Sequence, residues 1–380
     1  MTTDPIKLLC ELIALPSVNP ACLPDGDPRV GEHRVVDYMA AQAARAGLDV
    51  DLEEVLPGRR NLMARLTPPG RLHNRILLAP HADTVGDPGL GEQSFRPTIQ
   101  GRRLYGRGAC DTKGSVAAMF AAITHLACRR PRPQHTEIVL ALLVDEEHHQ
   151  SGSRFLARRG IKANLAIVGE PTALQVVTTH KGACWTTLET RGRASHGSCP
   201  RLGLNAILAM SRAVEVVESE YARRLETRRH PLLGSPTVNT GVIRGGSQPN
   251  IVPDRCTALL DRRTVPGETN PQVHQELRAL FRDSGVSVIV RPTYPDKPCP
   301  PLETDPGLPL VRDLMRCARQ RHPLGADFFS DASVLSHGGI PSVLFGPGSI
   351  RQAHTADEWI EWKSVLHATE ILRRFLLSLP

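Results

Sequence analysis

The 380-residue chain is 41% hydrophobic and 22% charged, enough for a sizeable core and unlike a disordered chain, and its length makes two domains the default. Its net charge of +7 comes from basic side chains that are nearly all arginine, in doublets scattered at 102–103, 129–130, 158–159, 223–224 and 228–229, and only 4% of residues are aromatic, so the charge reads as solvated surface and excludes a nucleic-acid face. No apolar run reaches membrane-span length and residues 1–10 lack the apolar centre of a signal peptide, while nine dispersed cysteines without a C-x-x-C pair point to reduced thiols in a cytoplasmic protein.

In chain order, the pattern predicts helices over 5–15 and 29–46, strands over 60–66 and 75–80, a helix of small residues over 114–128, and strands over 137–144 and 165–168. Strands alternating with helices imply an α/β sheet covered on both faces. The next stretch changes order: strand 184–190, helix 204–225, strands 237–243 and 257–263, helix 271–284 and strand 286–292. That β-α-β-β-α-β succession is the split pattern of a ferredoxin-like domain. A helix over 309–321, a strand over 342–345 and a closing helix over 363–377 follow. The expected organisation is a discontinuous catalytic domain of residues 1–179 and 293–380, with residues 180–292 inserted into it.

Three of the buried-strand patterns end on metal-type side chains. The run RILLAP ends at His81, with Asp83 two residues on; EIVLALLV ends at Asp145-Glu146-Glu147; LAIV ends at Gly169-Glu170. In open α/β sheets ligands gather at that carboxyl edge of the strands. Asp111, in the glycine-rich GRGACDTKG, and His354, near the chain's end, complete the set. Two imidazoles and several carboxylates without a thiolate suit zinc, cobalt or manganese. His81 and Glu170 could hold one ion and Glu147 and His354 a second, with Asp111 bridging. Each ion would keep an open position, as catalytic sites do. Glu146 is then placed to accept a proton from a water shared by two ions, and Asp83 to orient the His81 ring. Taken singly, Asp111 reads equally well as a helix N-cap, and His148 and His149 as a polar loop. The GRGACDTKG segment lacks the spacing of a phosphate loop.

Taken together, PHADTV (80–85), GRGACDTKG (106–114), DEE (145–147), GEPT (169–172), HKG (180–182), GRASHGSCPRLGLNAI (192–207), PNIVPDRC (249–256), DRRTVPG (261–267) and GPGSIRQAHTADEWI (346–360) run the length of the chain. With them the sequence resembles the acetylornithine deacetylase, succinyl-diaminopimelate desuccinylase and aminoacylase family of two-metal amidohydrolases. The resemblance implies an α/β catalytic domain with a mixed central sheet and an inserted ferredoxin-like dimerisation, or lid, domain. It implies that His81, Asp111, Glu147, Glu170 and His354 are ligands, that Glu146 is the general base, and that the protein is a homodimer. It further implies that His196 reaches the partner subunit's site to steady the developing oxyanion, and that Asn250 and Arg263 hold substrate. A guanidinium suits a carboxylate clamp, with Arg262 the alternative to Arg263.

GEPT, HKG and GPGSIRQAHTADE are most similar to the acetylornithine deacetylase branch. Thr112, where that branch often has methionine, and Ser330-Asp331-Ala332-Ser333, which resembles desuccinylase-like sequences, depart from it. The expected activity is hydrolysis of an N-acyl amino acid, N-acetyl-L-ornithine first, which would place it in arginine biosynthesis. A succinyl-diaminopimelate desuccinylase-like or other N-acyl amino acid deacylase, a dipeptidase or carboxypeptidase, and a catalytically silent binding protein are the alternatives. The expected partners are a small-molecule substrate and a second copy of the chain, with neither nucleic acid nor membrane.

Overall fold

Apolar runs flanked by polar turns build the sheet that positions the site. In the computed structural model, which describes residues 3–86, 91–128 and 132–380, the strands Asn74–Ala79, Thr136–Leu142, Leu165–Val168 and Ser342–Leu344 lie parallel, in the spatial order 136–142, 74–79, 165–168, 342–344. Every residue of Thr136–Leu142 and of Leu165–Val168 is buried. Continuous apolar strands of this kind belong to a parallel sheet covered on both faces. Arg59–Leu66 pairs antiparallel with Thr136–Leu142, and Asp49–Leu56 extends the edge as a hairpin partner, so the sheet is mixed. The arginine doublet at 129–130 lies outside the described residues.

The helix Lys113–Ala127 explains the run of small residues. Thirteen of its residues are buried, because it packs beneath the sheet and against the opening helix Pro5–Ile13 and the closing helix Trp362–Leu377. A helix surrounded on all sides has no polar face, and small side chains let its neighbours come close. A Cβ on Gly114 would stand 2.6 Å from the carbonyl oxygen of Ala109.

By its contacts the chain falls into two units: Met1–Thr178 with Thr304–Leu324 and Ser330–Pro380, and Thr179–Glu303 with Gly325–Phe329. The second unit contains an antiparallel sheet in the order Thr237–Gly245, Arg255–Thr264, Gly182–Arg191, Ile289–Pro292. With the helices Ala206–Val216 and Asn270–Asp283 this is the ferredoxin-like arrangement that the strand order predicted. Alternate strand residues, among them Cys184, Leu188, Cys256, Ala258 and Leu260, meet Met210, Leu277 and Phe281 of the helices in its core. The helix expected over 204–225 runs as Ala206–Val216, a π turn at Val217–Tyr221 and a last turn at Ala222–Glu226.

Several elements escaped the sequence pattern: Asp49–Leu56, the helices Ser151–Arg158 and Asp331–His337, and the small sheet of Thr98–Gln100, Arg103–Tyr105 and Trp359–Glu361. Among the described residues no disulfide joins any of the cysteines, and no helix is long and apolar enough to cross a membrane.

Candidate metal centre

The parallel strands deliver their polar successors to one edge. Pairing continues past the strand ends: Leu143 N–H donates to Pro80 O at 3.0 Å, and Ala82 N–H to Leu143 O at 2.8 Å. That holds His81 level with the start of the Asp145-Glu146-Glu147 turn. His81, Asp111 and Glu147 each offer a ligand atom, and those atoms lie within 4.8 Å of one another. His81 Nε2 is 3.0 Å from Asp111 Oδ1. On the other side of the same carboxylate, His354 Nε2 is 3.3 Å from Asp111 Oδ2 and 3.2 Å from Glu147 Oε2. Asp111 is therefore shared between the two histidines. It does not cap the helix behind it: Thr112 occupies the N-cap and makes no side-chain capping bond.

Two backbone positions here adopt the left-handed region without being glycine, Asp145 at φ 69° and His354 at φ 57°. Such conformations cluster where surrounding structure fixes a functional side chain. Asp83, fully buried, is the hub for the Asp145 turn. Its carboxylate accepts the N–H groups of Glu146 at 3.1 Å and Glu147 at 3.0 Å, and the Asn19 amide at 2.7 Å. The His81 ring reaches Asp83 through Nδ1, which lies 2.9 Å from the Asp83 backbone carbonyl and 3.6 Å from its carboxylate. The carbonyl is thus the nearer acceptor, while the carboxylate chiefly fixes the two glutamates. Behind it, Asn19 also donates to Asp145 Oδ1 at 3.1 Å, and Arg59 joins buried Glu32 to Asp145.

Carboxylates outnumber imidazoles in this buried space, and the proton affinities reflect it. Burial and the charge of Asp111 push Glu147 up to about 7 and hold Glu170 well above the usual carboxylate range. Burial and the charge of Glu170 do the same to Glu146. Hydrogen bonds with Asp111 and Glu147 raise His354 to about 10. Burial opposes a charge on His81, but Asp111 and Asp83 outweigh it and hold its pKa well above the ordinary value. For Asp111 burial acts upward, and the hydrogen bonds with His354 and His81 nevertheless hold it low. A cluster that keeps protons so firmly is short of positive charge.

The unpaired atoms carry the fit to a metal. Among the described residues, Glu147 Oε1 and Glu170 Oε1 are buried without a hydrogen-bond partner. Leaving such oxygens unpaired is costly in protein, and a cation removes the cost. Two imidazoles and three carboxylates, with no thiolate among them, are a donor set for a borderline or hard divalent ion.

On the second unit, His196 is exposed and its Nδ1 meets Ser198 Oγ at 2.6 Å. A bridge between His196 and Ile251, with Gly197 N–H donating to Asn250 O at 2.7 Å, brings His196 beside Asn250. Arg262 and Arg263 alternate across their strand and have opposite surroundings. Arg262 is fully buried, with its guanidinium on Glu268 at 2.6 Å and the Tyr221 hydroxyl at 3.3 Å. Arg263 is partly exposed, bonded to Asp261 at 3.0 Å, and lies over the Phe329 ring. The geometry leaves Arg263 the accessible member.

Sequence reasoning passed over Asn19, Glu32 and Arg59, and also Asp331. The Asp331 carboxyl is buried, bonded by Ser153 Oγ, and raised to about 7 by that burial. Its charge also bears on Glu146 and Glu170. Only the Ser-Asp-Ala-Ser motif marked its position.

The sequence matches the peptidase family M20/M25/M40 over residues 77–378. It is 30% identical to an acetylornithine deacetylase of Myxococcus xanthus over 90% of each chain. Among solved structures the fold is similar to aminopeptidase PepT from Bacillus cereus, with a TM-score of 0.76 and 21% identity, covering 98% of this chain and 97% of that one. It is likewise similar to the YXEP protein of Bacillus subtilis, a dinuclear metal-binding peptidase of family M20, with a TM-score of 0.70 and 13% identity over 98% and 96% of the two chains. With the family match running from the strand that carries His81 to the closing helix, the chain belongs to the M20 peptidase family and is a metallohydrolase of amide bonds.

Proposed function

We propose that this protein hydrolyses the amide bond of an N-acyl amino acid, with N-acetyl-L-ornithine as first substrate, using two divalent ions. The carrying observation is the shared Asp111 carboxylate, touching His81 on one side and His354 on the other, beside the partnerless oxygens of Glu147 and Glu170. His81 and Glu170 would hold one ion, Glu147 and His354 the other, with Asp111 common to both. Zinc is the first choice, with cobalt or manganese as alternatives. When bound, such a pair acidifies the attacking water and polarises the scissile carbonyl.

The chain's own residues supply the proton traffic. Glu146 sits next to a proposed ligand and is held by its backbone N–H on Asp83. It accepts the proton of the attacking water and delivers it to the amine nitrogen as the carbon–nitrogen bond breaks, so the products are the free amino acid and a carboxylate. Asp83 fixes both the base and its neighbour. Asn250 and Arg263 bind the amino acid's polar groups, the guanidinium taking the carboxylate.

The same reading makes residues 1–179 and 293–380 the catalytic domain and 180–292 an inserted dimerisation domain of a cytoplasmic homodimer. Two observations support the dimer. Leu202, Leu204 and Leu208 are 68%, 61% and 58% exposed on the inserted unit, beside Ile207 and Ile251. The strand Thr237–Gly245 is also the edge of its sheet, with one hydrogen-bonding side unpaired. In that dimer His196 would complete the partner subunit's site as the donor to the developing oxyanion.

A dipeptidase or carboxypeptidase is the second reading, favoured by the match to a peptidase family. A panel of N-acetyl and N-succinyl amino acids beside dipeptides, run with zinc- and cobalt-loaded protein, separates the two. Fastest turnover of N-acetyl-L-ornithine is expected. Preference for dipeptides would move the assignment to the second reading, and bound metal without hydrolysis of any of them would overturn both.

A further inference from the structure

The ligands Asp111 and His354 come from segments far apart in sequence, and one side chain ties the two segments together. Glu358 is 3% exposed. Its Oε1 accepts the backbone N–H groups of Cys110 at 2.8 Å and of Asp111 itself at 2.9 Å. Its Oε2 accepts Gly108 N–H at 2.8 Å and Arg107 Nη1 at 3.1 Å. The Glu358 backbone adds a fifth bond, its carbonyl receiving Gly106 N–H at 3.0 Å. The next residues, Trp359–Glu361, continue the attachment by pairing as a strand with Arg103–Tyr105. The loop 106–111 is therefore wound round a single buried carboxylate, and that carboxylate lies four residues beyond His354 on its own segment.

We infer that Glu358 is a positioning residue for the metal centre: it fixes the backbone that presents Asp111 and, through the short 354–358 segment, the place of His354 relative to it. This rests on the two-ion reading given above. The chemistry requires a carboxylate. Four donors converge on two oxygens, each of which can accept more than one hydrogen bond. A glutamine has one acceptor oxygen and an amide group that donates, so in either orientation two of the four buried donors lose their acceptor and face another donor. The loop would then relax away from Glu358, and Asp111 would move with it. Groups that orient metal ligands in this way typically set affinity by about 10–100-fold.

The test is a zinc titration of metal-free protein, with a competing chelator, for the wild type and Glu358→Gln. Far-UV circular dichroism and thermal melting of the metal-free proteins are read alongside. Two equivalents are expected in the wild type, both bound about 10–100-fold more weakly in the variant. The cobalt-loaded variant should also show an altered d–d spectrum. Glu361→Gln, an exposed change three residues along, should leave affinity and spectrum as they are. A merely structural Glu358 would lower the melting temperature and leave zinc affinity per folded molecule untouched, and that result overturns the inference. If Glu358→Gln does not fold, Glu358→Asp, too short to reach all four donors, is titrated in its place, and wild-type affinity there overturns it equally. A wild type that binds no zinc would instead remove the two-ion reading, and this assignment with it.

Discussion

Arg262 and Arg263 show how much one position along a strand decides. Side chains alternate faces, so adjacent arginines meet opposite environments. Arg262 enters the core of its unit and pairs there with the partly buried Glu268. Arg262→Ala should cost about 2–5 kcal/mol in urea unfolding, because it empties a fully buried site and leaves Glu268 to Arg228 and the Val265 N–H alone. Arg263→Ala should leave stability within about 0.5 kcal/mol and instead raise KM for substrates bearing a free carboxylate. The reverse pattern would assign substrate contact to Arg262. The sequence presented both arginines side by side and could not separate them. It did mark His81, Glu146, Glu147 and Glu170, because each follows a buried run whose end is visible in the sequence. Asn19, Glu32, Arg59 and Glu358 were invisible for the opposite reason. They act on backbone N–H groups or on charges contributed by distant segments, and no local spacing announces that.

At the scale of elements, close packing at the strand ends is a sharper constraint than the pattern suggested. Gly169 separates the strand Leu165–Val168 from Glu170, and a Cβ there would stand 2.8 Å from Ser115 Cβ and 3.0 Å from Pro80 Cβ. One neighbour is the buried helix and the other precedes His81. Gly169→Ala should therefore destabilise by about 1–3 kcal/mol through overpacking and weaken metal binding by displacing Glu170. Wild-type metal affinity in a folded Gly169→Ala protein would show that the strand end gives way without moving its ligand. In the inserted unit, the charge pairing around the partly buried Glu268 predicts a pH response. Burial acts to raise its pKa, but the Arg262 charge, the Val265 N–H and the Arg228 hydrogen bond outweigh that and leave it lowered. A carboxyl lowered by folding adds stability above its unfolded value and loses it as pH falls through the folded one. Glu268→Gln should thus lower stability at pH 7 and flatten the acid limb below about pH 4.5, read by urea midpoints across pH. An unchanged acid limb would assign that slope to other carboxyls. The long buried strands and amphipathic helices were legible because their periodicity is dictated by burial. Asp49–Leu56 was not, since four of its eight residues are acidic and it becomes a strand only against Arg59–Leu66. The three-residue strands of the small sheet are likewise products of tertiary pairing, too short to carry a period.

Across the whole molecule, the proposed chemistry divides between the two units of each chain. The proposed ligands and Glu146 belong to one unit, while His196, Asn250 and Arg263 belong to the other. If His196 serves the partner subunit's site, catalysis requires the dimer, and that requirement can be separated from stability. Glu146→Ala removes the proton acceptor and should cost about 10²–10⁴-fold in kcat while metal content is retained. His196→Ala removes an oxyanion donor and should cost about 10²–10³-fold. Neither change touches a core residue, so both proteins should fold and dimerise. When the two are mixed in equal amounts and allowed to exchange subunits, half of the dimers become hybrids. One site in each hybrid then combines an intact Glu146 with the intact His196 of the other chain, and its second site carries both lesions. Activity should recover to about a quarter of the wild-type rate, from one complete site in half of the dimers. The time course should follow subunit exchange measured independently by fluorescence transfer between labelled subunits. Exchange without recovery would place His196 in its own subunit's site or outside the reaction.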